Sequence, residues 1–447
     1  MKDTLRIGSG AGYAGDRLEP ALELLRGGDL DYIGFECLAE RTIALAQLER
    51  NKDANLGYNP MLEYRLDRVL PLAWTKKTRV ITNMGAANPA AALTIAADLA
   101  KKHGLKGMKL AAVTGDDVLE AVVQRPDLVL LESGDPLEEI RHRVVSANAY
   151  LGAGPLVEAL SKGAHVIITG RVADPALFLA PMIHEFGWSL HDYAKLGKGT
   201  LIGHLLECAG QVCGGYFAEP GRKEVPDLWN LGFPLVEVAG TGDGVITKVA
   251  GTGGLVSTAT VTEQLLYEIH DPACYLTPDC TADFSSVTLR QEGPDRVRFS
   301  GAGGHAPTDT YKVSVGYRNG YLGEGEISYG GPGCVARARL AAATVRKWLG
   351  RYAHEIADIN VSLIGLDSLG PEPLLPVADP PEVRLRVCGR CDSEAVARRI
   401  GNEVEALYTN GPAGGGGASR RVSELISVQS VLLPKSMVRP LIMYTEI

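Results

Sequence analysis

The alternation of apolar and polar positions predicts repeated strand-then-helix units in the first part of the chain. Residues 5–8 are strand-like, and apolar residues follow at helical spacing over 16–26. At the third unit, Asn88 and Pro89 combine an N-cap residue with a proline of the first helical turn. Further units follow the same order: 30–36 with 37–50, 79–85 with the helix opened by Asn88, 109–115 with the segment from 116, and 164–170 with the segment from 174. This pattern predicts an α/β fold with a doubly wound, mainly parallel sheet in a Rossmann-like domain over residues 1–190.

The pattern changes after residue 190. A helix is predicted over 193–209, and residues 234–250 and 282–300 alternate apolar and polar positions between glycine turns, as antiparallel strands do. Strands at 311–317 and 325–329, a helix at 335–353, strands at 358–363 and 382–387, a helix at 393–408 and a strand at 423–432 complete the prediction. We therefore expect a second domain over 191–447, of the α+β type with antiparallel strands and glycine-rich loops.

Composition and charge exclude several classes of protein. Hydrophobic residues form 45% and charged residues 22% of 447, as in ordinary globular proteins. The 45 basic and 53 acidic residues give a net charge of −8, which argues against a nucleic-acid partner. The first residues lack the features of a signal peptide and the chain lacks an apolar run long enough for a membrane span, so we expect a cytoplasmic protein. Eight scattered cysteines predict reduced thiols.

The clearest local motif is a G-x-G-x-x-G formed by Gly10, Gly12 and Gly15. Between a strand and a helix, this spacing is typical of a dinucleotide-binding turn. Asp16 at the helix start competes with a bound phosphate, although Arg17 could offset it. Three interpretations stay open: a nicotinamide or flavin nucleotide site, a site for a carboxylate or thioester, and a tight turn in which Asp16 caps the helix. The cofactor stays unknown.

Other polar residues follow the predicted strands at the edge where ligands bind in such sheets. Asp16, Glu36 and Asp174 are the candidate acids or bases, and Arg171 is a candidate clamp for a carboxylate. The remaining candidates for substrate binding at these strand ends are Arg17, Asn83, Asn88 and Thr169. The alternative for single residues is structural: Asn88 and Asp174 as helix caps, and Arg171 paired with an acid.

A second polar cluster lies on the predicted helix after residue 193. His204, Glu207 and Cys208 have spacings of three and four residues, which places them on one helical face. We include His204 among the catalytic candidates and Glu207 and Cys208 among the binding residues. The spacing fits no known zinc signature, so we assign no metal. The turn-rich segment 268–280 is expected to border a cleft, and His305 is expected in an accessible loop.

Several segments together resemble the acyclic terpene utilisation family. They are GSGAGYAGDR at 8–17, DYIGFECLAER at 31–41, NMGAANP at 83–89, TGRVADP at 169–175, GHLLEC at 203–208 and GPGC at 331–334. The resemblance covers nearly the whole chain. It implies catabolism of branched carboxylic acids or their CoA thioesters, and it supplies no catalytic residues. Members often carry a further C-terminal ferredoxin-like module, so the resemblance also implies that any role of that module is either absent or supplied by a separate small ferredoxin-like partner.

Three functions are therefore considered. The first is an enzyme of the hydratase or lyase type that acts on a carboxylate or acyl-CoA through the acids at the strand ends. The second is a nucleotide-dependent oxidoreductase that uses the turn at 10–15. The third is a non-catalytic subunit that needs the separate partner. Homo-oligomers are common among catabolic enzymes and are expected here.

Overall fold

A computed structural model describes residues 3–370 and 380–447. The strands are β1 (Thr4–Ala11), β2 (Tyr32–Phe35), β3 (Arg79–Thr82), β4 (Lys109–Thr114), β5 (Val144–Ala149), β6 (Val166–Thr169), β7 (Pro234–Ala239), β8 (Gly244–Lys248), β9 (Tyr275–Leu276), β10 (Thr281–Asp283), β11 (Thr288–Gly293), β12 (Arg296–Ser300), β13 (Gly303–His305), β14 (Thr310–Gly330), β15 (Ile356–Ile364), β16 (Glu382–Cys391), β17 (Gly415–Pro434) and β18 (Leu441–Glu446). The helices are α1 (Glu19–Gly27), α2 (Glu40–Lys52), α3 (Leu62–Lys76), α4 (Pro89–Lys102), α5 (Leu119–Val123), α6 (Gly154–Ser161), α7 (Ala176–Phe186), α8 (Tyr193–Glu207), α9 (Thr258–Leu266), α10 (Cys334–Leu349), α11 (Glu394–Glu405) and α12 (Leu407–Asn410).

The large sheet has parallel strands at its centre, in the order β1-β2-β3-β6-β4. Beyond β1 it continues with the antiparallel strands β7, β8, β12 and β11, and beyond β4 it ends with antiparallel β18. Asn88 caps α4 by accepting a hydrogen bond from the Ala91 amide at 3.2 Å, so the predicted helix start is confirmed.

Helices cover both faces of this sheet. Val80 of β3 and Ile168 of β6 share an apolar core with Leu66 of α3. Alternate positions face the other way: a Cβ on Gly34 of β2 would lie 2.4 Å from the Phe178 ring of α7. Because successive strand residues point to opposite faces, the central strands are buried on both sides. The predicted doubly wound α/β class is confirmed.

Contacts divide the chain into a larger unit, Met1–Gly316 with Val428–Ile447, and a smaller unit, Tyr317–Ser427. The predicted boundary lies after residue 190, whereas these units divide at Gly316 and again at Ser427. The reason lies in β7, β8, β11 and β12, which extend the sheet of the first domain and do not start a separate core. The return of β18 to pair with β4 adds the last residues of the chain to the same unit.

The smaller unit contains antiparallel strands with helices α10 and α11 packed on them. Leu385 and Val387 of β16 face the helices, whereas Arg384 on the alternate position pairs with Glu326 at 2.6 Å. The two strands predicted at 311–317 and 325–329 are one strand, β14. Within the intervening stretch, Gly323 serves close packing, since a Cβ would lie 2.0 Å from the Ala397 carbonyl oxygen of α11. No helix in the described ranges is both long enough and apolar enough to cross a membrane.

Candidate active site

A cavity of about 370 Å³ lies within the larger unit, and we call it the first cavity. Its walls combine carboxylates, a lysine and apolar side chains. The lining residues are Glu40, Leu131, Tyr150, Ala173, Asp174, Pro175, Glu268, Tyr275, Leu276, Thr277, Pro278, Thr308, Thr310, Lys312 and Leu432. Its volume falls in the range of pockets that hold small organic ligands.

Asp174 joins this cavity to the edge of the sheet. It follows β6, and about a third of its side chain is exposed, in the cavity wall. The Arg171 guanidinium donates to its Oδ1. Burial nevertheless raises the pKa of Asp174 to about 7, with further upward contributions from the carboxylates of Glu207 and Glu40. Such a group exchanges protons near neutral pH, as a general acid or base must.

Arg171 is fully buried and does not line the cavity. Besides Asp174, its guanidinium donates to the carbonyls of Val172, at 2.9 Å, and of Leu38. Its plane also lies over the Tyr150 ring, 4.5 Å from the centroid. All of these contacts hold the side chain in place, so Arg171 positions Asp174 instead of presenting a free clamp to a ligand.

Asp116 fixes the backbone that carries Arg171. It follows β4, is buried, and accepts hydrogen bonds from the Arg171 amide at 2.9 Å and from Asn148 Nδ2 at 3.0 Å. Gly170 permits this contact, because a Cβ there would lie 2.5 Å from an Asp116 oxygen. Burial raises the pKa of Asp116 to about 6.

Glu36 and Asn83 meet at the ends of β2 and β3. Asn83 Nδ2 donates to Glu36 Oε1 at 2.9 Å, and its Oδ1 accepts from the Cys37 amide at 2.7 Å. Burial, followed by the charge of Asp174, raises the pKa of Glu36 to about 8. Leu38 connects this pair to Arg171, because its amide donates to Glu36 and its carbonyl accepts from Arg171. Glu36 itself does not line the cavity.

Tyr150, Glu40 and Lys312 form a second polar group in the cavity wall. The Tyr150 hydroxyl donates to Glu40 Oε1, and this bond lowers the pKa of Glu40 against the opposing effect of burial. Lys312 Nζ lies 3.6 Å from the same oxygen and 5.3 Å from the centre of the Tyr150 ring. Lys312 therefore brings a positive charge to the cavity wall, beside the Glu40 carboxylate.

His204 and Glu207 pair on α8, as their spacing predicts, with Nδ1 and Oε1 2.8 Å apart. Nε2 lies 3.3 Å from the Leu265 carbonyl oxygen, so both ring nitrogens have partners. Burial opposes protonation of His204, but the Glu207 carboxylate raises its pKa above the usual value. His204 lines neither this cavity nor the one described next, which leaves Asp174 as the better placed proton carrier.

The glycine turn borders a separate second cavity of about 560 Å³. Its lining residues are Gly12, Tyr13, Asp16, Arg17, Pro20, Cys208, Gly210, Gln211, Gly215, Tyr216, Leu228, Leu231, Phe233 and Tyr267. The structure thus places Asp16, Arg17 and Cys208 together, and apart from Asp174. Burial raises the pKa of the Cys208 thiol well above its usual range, which disfavours the nucleophilic thiolate.

Packing accounts for two of the three motif glycines. A Cβ on Gly10 would lie 2.5 Å from the Phe35 ring, and one on Gly12 would lie 2.6 Å from the Cys208 carbonyl carbon. The Gly12 amide already donates to Asp16 Oδ2 at 2.8 Å. Asp16 therefore occupies a donor that a bound phosphate would need in a dinucleotide turn.

Two further candidates have structural contacts. The Thr169 hydroxyl donates to the Gly170 carbonyl within the core. Asn88 caps α4 and donates to the carbonyls of Ala54 and Leu56 at 2.8 and 2.7 Å. Neither residue lines the two cavities.

Sequence reasoning missed Glu40, Tyr150 and Lys312 as site residues. Glu40 lies within the recognised segment 31–41, and Tyr150 follows β5 directly, so strand-end position could have found both. Lys312 lies within β14, where no local motif marks it. Segment 268–280 does border the cavity, through Glu268 and four of its other residues.

The chain matches a known protein family. The model of the family described as "Acyclic terpene utilisation family protein AtuA" matches residues 5–444 of the chain. No curated protein and no solved structure matches significantly.

Proposed function

The chain belongs to the acyclic terpene utilisation family, and from this premise we propose that it is a catabolic enzyme of the hydratase or lyase type. Its substrates are branched carboxylic acids or their CoA thioesters, and Asp174 transfers the proton. The observation that carries this proposal is the position of Asp174: in the wall of the first cavity, held by a buried arginine, with its pKa raised to about 7.

The lining of the first cavity supports such a substrate. Leu131, Leu432 and the prolines at 175 and 278 offer apolar surface to a branched hydrocarbon chain. Lys312 offers a cation to a carboxylate or to the oxygen of a thioester carbonyl.

The proposed step is the reversible elimination of water. The Asp174 carboxylate accepts the proton from the carbon next to the carbonyl group, and Lys312 stabilises the negative charge that develops on the carbonyl oxygen. Asp174 then passes this proton to the hydroxyl, which leaves as water, so that Asp174 returns to its carboxylate form. Arg171 keeps Asp174 in position throughout.

Turnover by Asp174→Asn tests the proposal. Purified protein is incubated with branched 3-hydroxyacyl and 2-enoyl CoA thioesters and the corresponding free acids, and products are followed by mass spectrometry. We expect the wild type to interconvert one such pair and Asp174→Asn to be slower by about 10²–10⁴-fold, the usual contribution of a general acid or base. Asp243→Asn is the matched control, since Asp243 pairs with Lys198 and lines neither cavity. Full turnover by Asp174→Asn would overturn the assignment.

A further inference from the structure

The second cavity is surrounded by aromatic side chains that are exposed to solvent. The exposed fractions are 61% for Tyr13, 97% for Tyr216 and 77% for Trp229. Tyr13 and Tyr216 line the cavity, and Trp229 follows the lining residue Leu228, with its backbone carbonyl accepting from Arg17 Nη1 at 3.0 Å. Aromatic faces clustered in this way around one opening mark a binding surface more often than ordinary surface.

The backbone around the same cavity holds unfavourable conformations. Ala209, Tyr216 and Asp227 have φ angles of 42°, 63° and 45°, in the left-handed region that residues with a Cβ rarely adopt. Gly215 beside them is anchored by its amide, which donates to the Gly210 carbonyl at 2.9 Å. Strained residues other than glycine concentrate at ligand sites, where the surrounding structure maintains them.

The groups available in the cavity fit a flat aromatic ring better than a bare anion. Asp16 accepts hydrogen bonds from the amides of Gly12 and Arg17, both at 2.8 Å, so those donors are engaged. Gln211 also lines the cavity and is hydrogen-bonded to Tyr267; its side-chain amide is the group that pairs with the donor and acceptor on the edge of adenine. Arg17 adds a positive charge for a phosphate carried by the same molecule.

We propose that the second cavity binds the adenine ring of a nucleotide. The ring stacks on Tyr216 and Tyr13, Gln211 contacts its edge, and Arg17 contacts the attached phosphate. Adenine of this kind reaches the protein either as part of CoA or as part of a nicotinamide dinucleotide. This inference does not depend on the reaction proposed for the first cavity.

Calorimetric titration of the full chain tests the proposal with four probes: CoA, adenosine 3′,5′-bisphosphate, NAD and guanosine 5′-diphosphate. We expect at least one adenine compound to bind and to quench tryptophan fluorescence, with the guanosine compound at least tenfold weaker. Tyr216→Ala should weaken adenine binding about tenfold or more, as loss of a base-stacking aromatic does. The matched control, Tyr64→Ala, removes a tyrosine of α3 that is 41% exposed and lines neither cavity, and it should bind as the wild type does.

The four probes also show which natural ligand carries the adenine ring. If CoA and adenosine 3′,5′-bisphosphate bind and NAD does not, the ligand is CoA. If NAD binds and the other two do not, the ligand is a nicotinamide dinucleotide. A second variant, Gln211→Glu, should reduce the preference for adenine over guanine while the protein stays folded. The proposal is overturned if the wild type binds none of the adenine compounds at millimolar concentration. Wild-type affinity in a folded Tyr216→Ala variant would also overturn it.

Discussion

The two cavities of the larger unit are held in shape by different means. The first has a wall of charged side chains, and Arg171 beside it is hydrogen-bonded to Asp174, to Asp116 and to the Leu38 carbonyl, whose own amide donates to Glu36. The second has aromatic side chains on a wall shaped by backbone turns, with φ strain at Tyr216 and close approach at Gly12. Buried charge requires partners, whereas an aromatic wall requires only shape. The stability of the protein should therefore fall when a charged side chain is removed beside the first cavity, and when a side chain is enlarged beside the second.

The largest expected effect is that of Arg171→Met. Removal of this buried guanidinium leaves Asp174 without its ion-pair partner and the Val172 and Leu38 carbonyls without their donor, and the loss of such a buried partner costs about 3–5 kcal/mol. We expect a marked fall in the melting temperature, measured by differential scanning calorimetry. Arg17→Met at the second cavity is the control, and its effect should stay within about 0.5 kcal/mol because Arg17 is exposed. Equal effects of the two changes would contradict the comparison.

The next effect concerns the shape of the second cavity. In Gly12→Ala the new methyl group would lie 2.6 Å from the Cys208 carbonyl carbon, so the backbone must move. Overpacking of this kind costs about 1–3 kcal/mol, read as a lower melting temperature. At Gly154, the first residue of α6, a Cβ meets no atom within 4 Å, so Gly154→Ala should be neutral or slightly stabilising. A melting temperature of Gly12→Ala equal to that of the wild type would contradict this prediction, because it would mean that the turn can move to accommodate the methyl group.

The contrast also explains how much could be predicted from the sequence. Strand-then-helix periodicity predicts the doubly wound sheet, and the N-cap signal predicts the start of α4, because both depend on neighbours along the chain. Strand-end reasoning selected Asp174, Arg171, Glu36 and Asn83, which the structure brings together. Lys312 joins the cavity from β14, far along the chain, and only tertiary packing places it beside Glu40.

Sequence reasoning also could not separate the two cavities. Asp16 and Asp174 both follow strands of the same sheet, and the edge rule grouped them, but each lines a different cavity. The division depends on how α8 and the segment after it fill the space, since Cys208 lies on the second cavity one residue after Glu207. The periodicity of apolar positions along the chain does not predict how α8 and the following segment pack between the two cavities.

A smaller effect is expected from Glu36→Gln, and it depends on pH. Because burial raises the pKa of Glu36 to about 8, the folded state binds a proton that the unfolded state releases above about pH 4.5. The wild type should therefore lose stability as pH rises between these values, and the loss should level off above pH 8. The glutamine keeps an oxygen for the Asn83 and Leu38 hydrogen bonds and carries no charge. Melting temperatures from pH 5 to 8.5 should therefore fall less steeply in the variant, and parallel curves would contradict this.

The smallest effect on stability is expected from Lys312→Met, and it separates binding from folding within the first cavity. Lys312 is about half exposed and lies 3.6 Å from Glu40, and ion pairs of this kind contribute about 0–1 kcal/mol. The melting temperature should therefore change as little as in the control Lys195→Met, whose lysine pairs with Asp192 on the surface. The affinity for an anionic substrate should nevertheless fall in Lys312→Met alone, because the cation leaves the cavity wall. A fall in stability comparable to that of Arg171→Met would instead mean that Lys312 belongs to the buried network, and that the first cavity has no charge free for a ligand.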